Sequence, residues 1–568
     1  MTNALRFLVV AAVSLHQTSL CHGQLAVAPA FRFPPHTQAI HTACGVTRKN
    51  TPIAIALPAD LLNLHSPRLR VLLVVEGAVD APIVPQVVRQ WAAFRATSPA
   101  HNLQLGLIPS MYPDGIPKTP AGFPPSGAAY GDAKNPEAVY VWRYIGNLAP
   151  DLVVTIRAGD ETTWDWKAAT TAPRSLAGAL SSNDVAGIGT VAAVSVVCSP
   201  SDNVVEQLIA ILADEGARLQ GKAKSELQRR VDRSPIDVAG ELSRVYGHQL
   251  SSVAYIPSLA LIGRLRLGEL TDDPTHLRDV QQIVSPYRDG TKSSLGDRPS
   301  GSTLSGHLIF GELALRTGDK RFIDLVKNVA DLGFDDSGSS KVAMPFHSEM
   351  SDSVFMGTPI LVQAGRLTGR EPYFKMAGTH LRFMLKLNLR DDGLHQHSPL
   401  DPASTAWGRG NGFPALGLAL SLSDLPVKSS ERDKMLSQYR AHISAMIAHQ
   451  DEMGMWHQVV DHPESYREFT VTCMTTFAIV RGLREGWLDK KQYEPVVHRA
   501  WHAIKRRIGP NGQLIDVCAG TGKQKSYRDY LDRPAILGKD DRGGAMALMV
   551  ATEIAFAESE SILVPAAP

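Results

Sequence analysis

The residues best suited to chemistry lie in one segment of the chain, 345–413. It contains Asp352, His397 and the closely spaced pair Trp407 and Arg409. An aromatic face stacks on a sugar ring, a guanidinium takes a carboxylate in a fork, and an aspartate moves a proton. These residue types in this spacing indicate a site for an acidic sugar.

Three motifs carry these residues in order. They are His-x4-Asp-x2-Phe-Met from His347, Gly-Leu-x-x-His from Gly393, and Trp-x-Arg-x-x-Gly-aromatic from Trp407. Their order and spacing resemble the glycoside hydrolases of families 88 and 105, the unsaturated glucuronyl and rhamnogalacturonyl hydrolases. The resemblance extends from near Pro235 to near Glu558.

The resemblance implies a role for each of these positions. Asp352 falls on the acid/base aspartate of the families. The implied substrate contacts are His347, His397, Trp407, Arg409 and Phe413. His395 is the alternative to His397 if the register differs, and Phe413 stands where the families often have a tryptophan.

The implied reaction removes a 4,5-unsaturated uronic acid from the non-reducing end of an oligosaccharide that a lyase has produced. Protonated Asp352 would donate to C4 of the vinyl ether, and water activated by the same residue would add at C5. A single carboxyl that acts as acid and then as base needs a raised pKa. No cofactor is expected. Two other functions stay open: a catalytically degenerate protein that binds acidic carbohydrate, and a conventional glycosidase or lyase on the same barrel.

Two features of the sequence weigh against this activity. Asp352 opens a predicted helix, where an aspartate commonly caps the backbone instead. The families also usually carry a second aspartate before a Gly-led helix, and no acid occupies the matching position near Gly301. Asp297 substitutes only if its loop reaches the site. Near the C-terminus, Lys523 and Arg533 are further candidates to meet a carboxylate.

The second half of the chain, 235–560, has the periodicity of consecutive helices. The helices predicted over 305–317 and 352–366 both run into a Thr-Gly pair, at Gly318 and Gly369. A helix that stops at glycine and is followed by another helix indicates repeated helix pairs. The repetition alone allows an open solenoid or a closed ring, and the family resemblance implies the closed ring, an all-α (α/α)6 barrel.

The first half, residues 24–230, alternates apolar runs with helical patterns. The predicted strands are 71–75, 103–109, 152–156 and 191–197. The predicted helices are 82–96, 136–148 and 203–221. Continuous apolar runs are typical of buried parallel strands, and their alternation with helices predicts an α/β sheet.

The order of motifs in this half resembles the zinc metallocarboxypeptidase family. The matching pieces are MYPDG at 111–115, FP at 123–124, PE at 136–137 and PDLVV at 150–154. That family binds zinc through a His-x-x-Glu after one strand and a His after a later strand. Here the first position reads Glu76-Gly-Ala-Val-Asp80, and the later strand runs into Arg157. A catalytic zinc needs three protein ligands, so we expect a carboxypeptidase-like domain without zinc rather than an active peptidase.

The start of the chain is typical of a signal peptide. Arg6 precedes an apolar run, 7–15, which is too short to span a bilayer, and small residues follow as far as Gly23. We expect a signal peptide over 1–23 and export to the periplasm or beyond, the alternative being a buried strand. Membrane insertion after cleavage is not expected.

Composition limits the partners. The net charge of +2 leaves no basic excess for nucleic acid, so an acidic oligosaccharide is the expected partner. No cysteine–histidine cluster suggests a metal site. Besides Cys21, the cysteines are Cys44, Cys198, Cys473 and Cys518. One disulfide in each half and four buried thiols are both compatible with this distribution. The sequence does not indicate an oligomeric state.

Overall fold

The computed structural model describes residues 31–34, 37–97, 102–118, 122–125, 135–215 and 221–565. The expected signal peptide, 1–23, lies outside these residues. Within them, a region built on a β-sheet precedes a helical region, as the sequence predicts for its two halves.

Seven strands of the described N-terminal region form one mixed sheet. They are β1 (Ile40–Val46), β2 (Pro52–Leu57), β3 (Leu69–Val75), β4 (Leu103–Ile108), β5 (Leu152–Ala158), β6 (Thr163–Asp165) and β7 (Ala193–Cys198). The spatial order is β1-β2-β4-β3-β5-β7-β6, in which β4, β3, β5 and β7 run parallel. These four central strands are the predicted ones, and their apolar runs are continuous because helices cover both faces of a parallel sheet.

The helices of this region follow the predicted alternation. They are α1 (Ile83–Thr97), α2 (Pro136–Leu148), α3 (Ala168–Thr171), α4 (Leu176–Ser182), α5 (Val204–Glu215) and α6 (Lys222–Val231). Asn135 begins α2 by accepting a hydrogen bond from the Ala138 N–H, and Pro136 occupies the first helical position. Nearly all of α2 is buried.

The C-terminal region is built from helices. They are α7 (Pro235–Ser243), α8 (Tyr255–Thr271), α9 (Pro274–Arg288), α10 (Gly301–Gly306), α11 (Leu308–Thr317), α12 (Lys320–Ala330), α13 (Ser353–Thr368), α14 (Glu371–Asn388), α15 (Gly408–Asp424), α16 (Arg432–Ile447), α17 (Phe469–Arg484), α18 (Lys490–Arg506), α19 (Tyr527–Leu531) and α20 (Asp541–Ser559). Two short antiparallel pairs interrupt them: β8 (Trp456–His457) with β9 (Arg467–Glu468), and β10 (Leu514–Cys518) with β11 (Ala535–Gly538).

Six helices of the described C-terminal region form a closed inner ring. In order they are α8, α11, α13, α15, α17 and α20, and α20 packs back against α8. The outer partners are α9, α12, α14, α16, α18 and α7. Inner helices such as α13 and α15 are buried on nearly every side, as expected for helices that are apolar all round. The ring is therefore the (α/α)6 barrel, not an open solenoid.

The predicted helix endings are confirmed. Gly318 and Gly369 follow α11 and α13 with φ of 70° and 68°, the left-handed conformation that glycine adopts at low cost. The helix predicted over 305–317 is divided at His307, whose buried Nδ1 lies 2.8 Å from the Thr303 carbonyl oxygen. That contact closes α10 before α11 begins.

The two regions share one hydrophobic core. Apolar residues of α2 and β1 belong to the same buried cluster as Trp407, Tyr530 and Cys518 of the barrel. Across this boundary the Arg143 Nη1 donates to Asp516 Oδ1 over 2.6 Å, and both side chains are buried. The sheet region therefore packs against β10, β11 and α19.

The structure also bears on the cysteines and on membrane insertion. Cys44, Cys198, Cys473 and Cys518 are buried free thiols, so of the two arrangements that the sequence allows the structure has unpaired cysteines. Among the described residues no helix is long and apolar enough to cross a membrane.

Candidate active site

Three segments meet where α13 begins, and Ser351 holds them together. Its N–H donates to the His397 carbonyl oxygen over 2.9 Å, and its hydroxyl donates to the Gly410 carbonyl oxygen over 2.7 Å. A Cβ at Gly410 would lie 3.0 Å from Ser351 Oγ and from the Trp407 ring. A side chain at this position would force its neighbours to shift, so glycine favours the close approach of the segment before α13 to the start of α15 beside Asp352.

Asp352 is a buried carboxyl that does not cap its helix. It occupies the N-cap position of α13, but its side chain makes no capping hydrogen bond. Only 12% of the side chain is exposed, and Oδ1 is buried without a hydrogen-bond partner among the described residues. Burial raises the pKa of Asp352 to about 7, although the charge of Arg409 acts in the opposite direction. Near neutral pH this carboxyl can therefore both give and take a proton.

His397 is the histidine that faces this carboxyl, but it is fully buried, so the structure contradicts its predicted contact with the substrate. Its Nε2 lies 3.6 Å from Asp352 Oδ1, and its Nδ1 lies 2.9 Å from the Tyr530 hydroxyl oxygen. Burial, followed by the charges of Arg409 and Lys523, lowers the pKa of His397 to about 3. The imidazole is therefore neutral at neutral pH and forms no ion pair with Asp352.

His395 does not reach Asp352. It is buried and lies edge-on to His442, with ring centroids 4.8 Å apart. Of the two register alternatives, the structure brings only His397 to the acid.

Trp407 and Arg409 are buried next to His397, so the structure contradicts their predicted contacts with a sugar. Arg409 donates from Nη1 to the Cys518 carbonyl oxygen and from Nη2 to that of Ala519, both over 2.7 Å. Both Nη atoms of the guanidinium are thus already bonded to backbone carbonyl groups. Trp407 is 1% exposed, because the guanidinium of Arg409 lies 4.7 Å from its ring centroid and the ring of His397 lies 4.3 Å from it. Both side chains therefore pack within the protein rather than face a substrate.

Phe413 is a core residue, contrary to its predicted stacking role. It is 1% exposed and stacks on Phe355 with centroids 5.5 Å apart, while Tyr255 meets it edge-on. A ring enclosed by two other aromatic rings has no face left for a sugar.

His347 lies in the loop before α13, partly exposed. Its Nδ1 accepts the Glu349 N–H over 3.0 Å, and its carbonyl oxygen accepts the Ser353 hydroxyl over 2.7 Å. Positive φ values at Phe346, Ser348 and Glu349 show that this loop is tightly turned. The position of His347 is thus compatible with the predicted substrate contact.

The vacant aspartate position adjoins the same loop. A Cβ at Gly301 would lie 3.2 Å from the Phe346 carbonyl oxygen and 3.3 Å from Met356 Cβ. The side chain of Asp297, the possible substitute, is exposed on the surface. Glu468, whose charge acts on Arg409, accepts hydrogen bonds from Thr470, Val471 and Cys518.

The structure adds residues that the sequence analysis did not assign. Tyr255 at the start of α8 is buried, and the charges of Arg409, Arg542 and Asp352 all act on its hydroxyl. Arg542 donates to the Cys518 carbonyl oxygen over 3.0 Å and keeps 17% of its side chain exposed. Two glycines follow Arg542 directly, whereas nothing in the sequence marks Tyr255.

A second cation lies at the edge of the site. Lys523 Nζ lies 2.7 Å from Glu349 Oε2, and both side chains are partly exposed. The pair joins the loop before α13 to the loop after β10. Lys523 also contributes to the lowered pKa of His397, which indicates that its charge lies near the imidazole. Arg533 is committed to the Gly520 carbonyl oxygen of the same loop.

The fold and the site together define an (α/α)6 barrel protein with a buried carboxyl, Asp352, at the start of an inner helix. The profile of Glycosyl Hydrolase Family 88 matches residues 239–557, which is more than half of the chain. The chain belongs to this family.

Known relatives match part of this chain. An unsaturated rhamnogalacturonyl hydrolase of Bacillus subtilis is 27% identical over 191 residues, which are 32% of this chain and 53% of that protein. An unsaturated 3S-rhamnoglycuronyl hydrolase of Formosa agariphila is 27% identical over 209 residues, 33% of this chain and 53% of its own. The chain thus spans about half the length of the curated relatives it matches. A solved family 105 glycoside hydrolase from C. acetobutylicum has 20% identity and a TM-score of 0.49, over 56% of this chain and 99% of its own.

Proposed function

We propose that the chain is an unsaturated uronyl hydrolase that hydrates the vinyl ether of a 4,5-unsaturated uronic acid at the non-reducing end of an oligosaccharide. The observation that carries this proposal is the buried Asp352 with its pKa raised to about 7. Protonated Asp352 donates its proton to C4, and positive charge develops at C5 and the ring oxygen. The Asp352 carboxylate then takes a proton from water, whose oxygen bonds to C5. The resulting hemiketal opens and releases the neighbouring sugar.

The number of carboxyl groups available for catalysis favours hydration over conventional glycoside hydrolysis. Conventional retaining and inverting enzymes need two carboxyl groups beside the scissile bond. Asp352 is available, whereas Glu468 is held by three hydrogen-bond donors at the start of α17. Hydration needs one group that serves as acid and then as base. The names of the relatives, unsaturated rhamnogalacturonyl and rhamnoglycuronyl hydrolases, support the same substrate class.

We infer that Arg542 and Lys523 attract the substrate carboxylate, in place of Arg409. Both cations are partly exposed, and both lie on elements that adjoin the loop after β10. Arg409 offers no free fork. When these cations bind the substrate carboxylate, its negative charge offsets theirs, so they stabilise the ionised form of Asp352 less than they do in the free protein. His347 completes the proposed site around Asp352, while the fully buried His397 faces Asp352 rather than the substrate.

A matched pair of disaccharides tests the proposal. The two substrates share the same reducing sugar, and the non-reducing uronic acid is unsaturated in one and saturated in the other. We expect release of the reducing sugar from the unsaturated compound alone. Release from the saturated compound at a similar rate would instead identify a conventional glycosidase. Tight binding of the unsaturated compound without release would identify a carbohydrate-binding protein.

We also propose that residues 24–230 are a carboxypeptidase-like domain without zinc. The mixed sheet with a parallel centre is compatible with this assignment. Glu76, at the end of β3, forms an ion pair with Arg157 at the end of β5, and a guanidinium at this position disfavours a divalent cation. Metal analysis of the purified protein is expected to find no stoichiometric zinc, and one tightly bound zinc per chain would overturn the proposal.

Export is a further proposal. The apolar run after Arg6 and the small residues up to Gly23 support a cleaved signal peptide over 1–23. N-terminal sequencing of the protein from its native host is expected to begin near residue 24. A mature chain that begins at Met1 would contradict export by this route.

A further inference from the structure

An ion pair joins the loop that leads into Asp352 to the loop after β10. Glu349 lies shortly before the acid in the sequence, and its Oε2 is 2.7 Å from Lys523 Nζ. The Glu349 side chain is 43% exposed and that of Lys523 is 31% exposed. Both charged groups are therefore accessible to a dissolved anion, and the pair is not part of the core.

The loop that carries Glu349 is held in a tight turn beside the acid. The His347 carbonyl oxygen accepts the Ser353 hydroxyl over 2.7 Å, and the His347 Nδ1 accepts the Glu349 N–H over 3.0 Å. These two bonds connect the residues on both sides of Asp352 to one histidine. The Glu349 carboxylate, and the ammonium bound to it, therefore belong to the same turn as Asp352.

The loop after β10 offers a cation to a ligand at this turn. The Cys518 carbonyl oxygen anchors the loop by accepting Nη1 of Arg409 and of Arg542, over 2.7 and 3.0 Å. Arg409 is buried, whereas Arg542 and Lys523 are partly exposed. A carboxylate that approaches the loop meets Lys523, and Lys523 already holds the carboxylate of Glu349.

We propose that Glu349 is an internal competitor for the carboxylate of the substrate: it occupies Lys523 in the free protein and is displaced when an anionic sugar binds. This inference rests on the proposed function, because it takes the ligand to be a uronate. Glu349 and a uronate present the same functional group to the ammonium, and two carboxylates beside one cation repel each other. The ion pair and the bound ligand therefore exclude each other.

This competition makes Glu349 a specificity-determining residue. The apparent affinity of an anion for Lys523 is reduced by the fraction of molecules in which Lys523 is free. An exposed ion pair is weak, so a uronate that also gains contacts through its sugar ring displaces Glu349 readily. A small anion that offers only its charge does not.

The backbone of the loop favours the displacement. Phe346, Ser348 and Glu349 have φ of 64°, 50° and 52°, in the left-handed region that residues other than glycine rarely adopt. Such strain persists only where surrounding contacts maintain it, and the ion pair with Lys523 is one of these contacts. Release of Glu349 therefore lets the loop relax, which offsets part of the cost of breaking the pair.

Calorimetric titration with a matched pair of ligands tests the competition. The ligands are an unsaturated uronyl disaccharide and its neutral methyl ester, and every chain carries Asp352→Asn so that neither is consumed. Glu349→Gln should tighten binding of the acid about fivefold and leave binding of the ester unchanged. Glu494→Gln is the control, because Glu494 faces Lys490 at 3.8 Å on the outer helix α18, and it should change neither.

A double-mutant cycle separates competition from a general effect of charge. With Lys523→Gln present the acid should bind more weakly, and Glu349→Gln should then tighten its binding by less than about twofold. An undiminished gain in this background, an equal gain for the methyl ester, or no gain from Glu349→Gln alone would each overturn the inference. So would the absence of binding by every chain.

Hydrogen exchange, measured by mass spectrometry, tests the role of the ion pair in the free protein. Peptides that cover 346–351 should exchange faster in Glu349→Gln than in the wild type, and at the wild-type rate in Glu494→Gln. Unchanged exchange in Glu349→Gln would overturn the strain argument. Competition for the acid without any hydration by the wild type would contradict the proposed function alone, whereas hydration without competition would contradict this inference alone.

Discussion

Asp352 is the residue on which the account of activity depends, and its burial has a consequence for stability. The pKa of about 7 in the folded protein lies above the ordinary value of 3.8. Between these two values the folded state keeps a proton that the unfolded state releases. The free energy of unfolding therefore falls as the pH rises through this window.

Asp352→Asn should stabilise the protein at alkaline pH while abolishing activity. At pH 8 the wild type keeps a charge out of water, whereas the amide carries none. We expect a gain on the order of 2–4 kcal/mol at pH 8 and much less at pH 4, measured by denaturant unfolding at both values. The exposed Asp297→Asn is the control and should change neither. Equal effects of Asp352→Asn at the two pH values would contradict the raised pKa.

Arg409 lowers the pKa of Asp352 and thereby opposes the effect of burial. Its positive charge favours the Asp352 carboxylate. In Arg409→Met we expect the alkaline limb of the pH–rate profile to move to higher pH by about one unit, with a lower kcat because the Cys518 loop loses its anchor. Arg409→Lys keeps the charge and should keep the limb. A limb that moves to lower pH in Arg409→Met would contradict the assigned electrostatics.

Motif spacing was sufficient to select Asp352 and His397, which the structure places 3.6 Å apart. It did not identify the full set of groups around them. Residue type alone did not reveal exposure, so Trp407 and Phe413 were predicted to stack on sugar although they are buried. Tyr530 lies far along the chain from Asp352 and has no motif of its own, so only the fold reveals it.

At the scale of elements, long patterns were predictable and short ones were not. The four central strands and the barrel helices each repeat an apolar pattern over enough residues to be recognised. The short elements have only two to five residues each. They are the antiparallel pairs β8–β9 and β10–β11 and the helix α19. Their conformation comes from tertiary contacts, among them the Arg143 bond to Asp516 in β10.

A comparison of two ion pairs between the regions tests this dependence. Arg143 and Asp516 are both buried, whereas Arg48 and Asp532 are partly exposed. Arg143→Met leaves a buried carboxylate with weaker compensation, and we expect a loss of about 3–5 kcal/mol in the free energy of unfolding. Arg48→Met should cost less than about 1 kcal/mol. Equal losses in the two variants would show that the buried pair does not anchor β10.

At the scale of the whole molecule, the shared core joins the sheet region to the barrel. One buried cluster contains residues of α2 and β1 together with Tyr530 and Cys518. Unfolding the sheet region alone would expose the apolar surface of β10, β11 and α19 to water. The two regions should therefore lose structure together.

Differential scanning calorimetry measures this cooperativity directly. We expect a single transition for the full chain, and Arg143→Met should lower its midpoint without dividing it. Two resolved transitions, with the first assigned to the sheet region by limited proteolysis, would contradict the shared core.

The most direct test of the central claim is the ultraviolet absorbance of an unsaturated uronyl oligosaccharide during incubation with the wild type and with Asp352→Asn. Hydration of the double bond removes the conjugation between the C4–C5 alkene and the carboxylate. The account predicts loss of absorbance with the wild type and none with Asp352→Asn, in samples that are equally well folded. Loss of absorbance at a similar rate with Asp352→Asn would contradict the assignment of Asp352 as the acid and base.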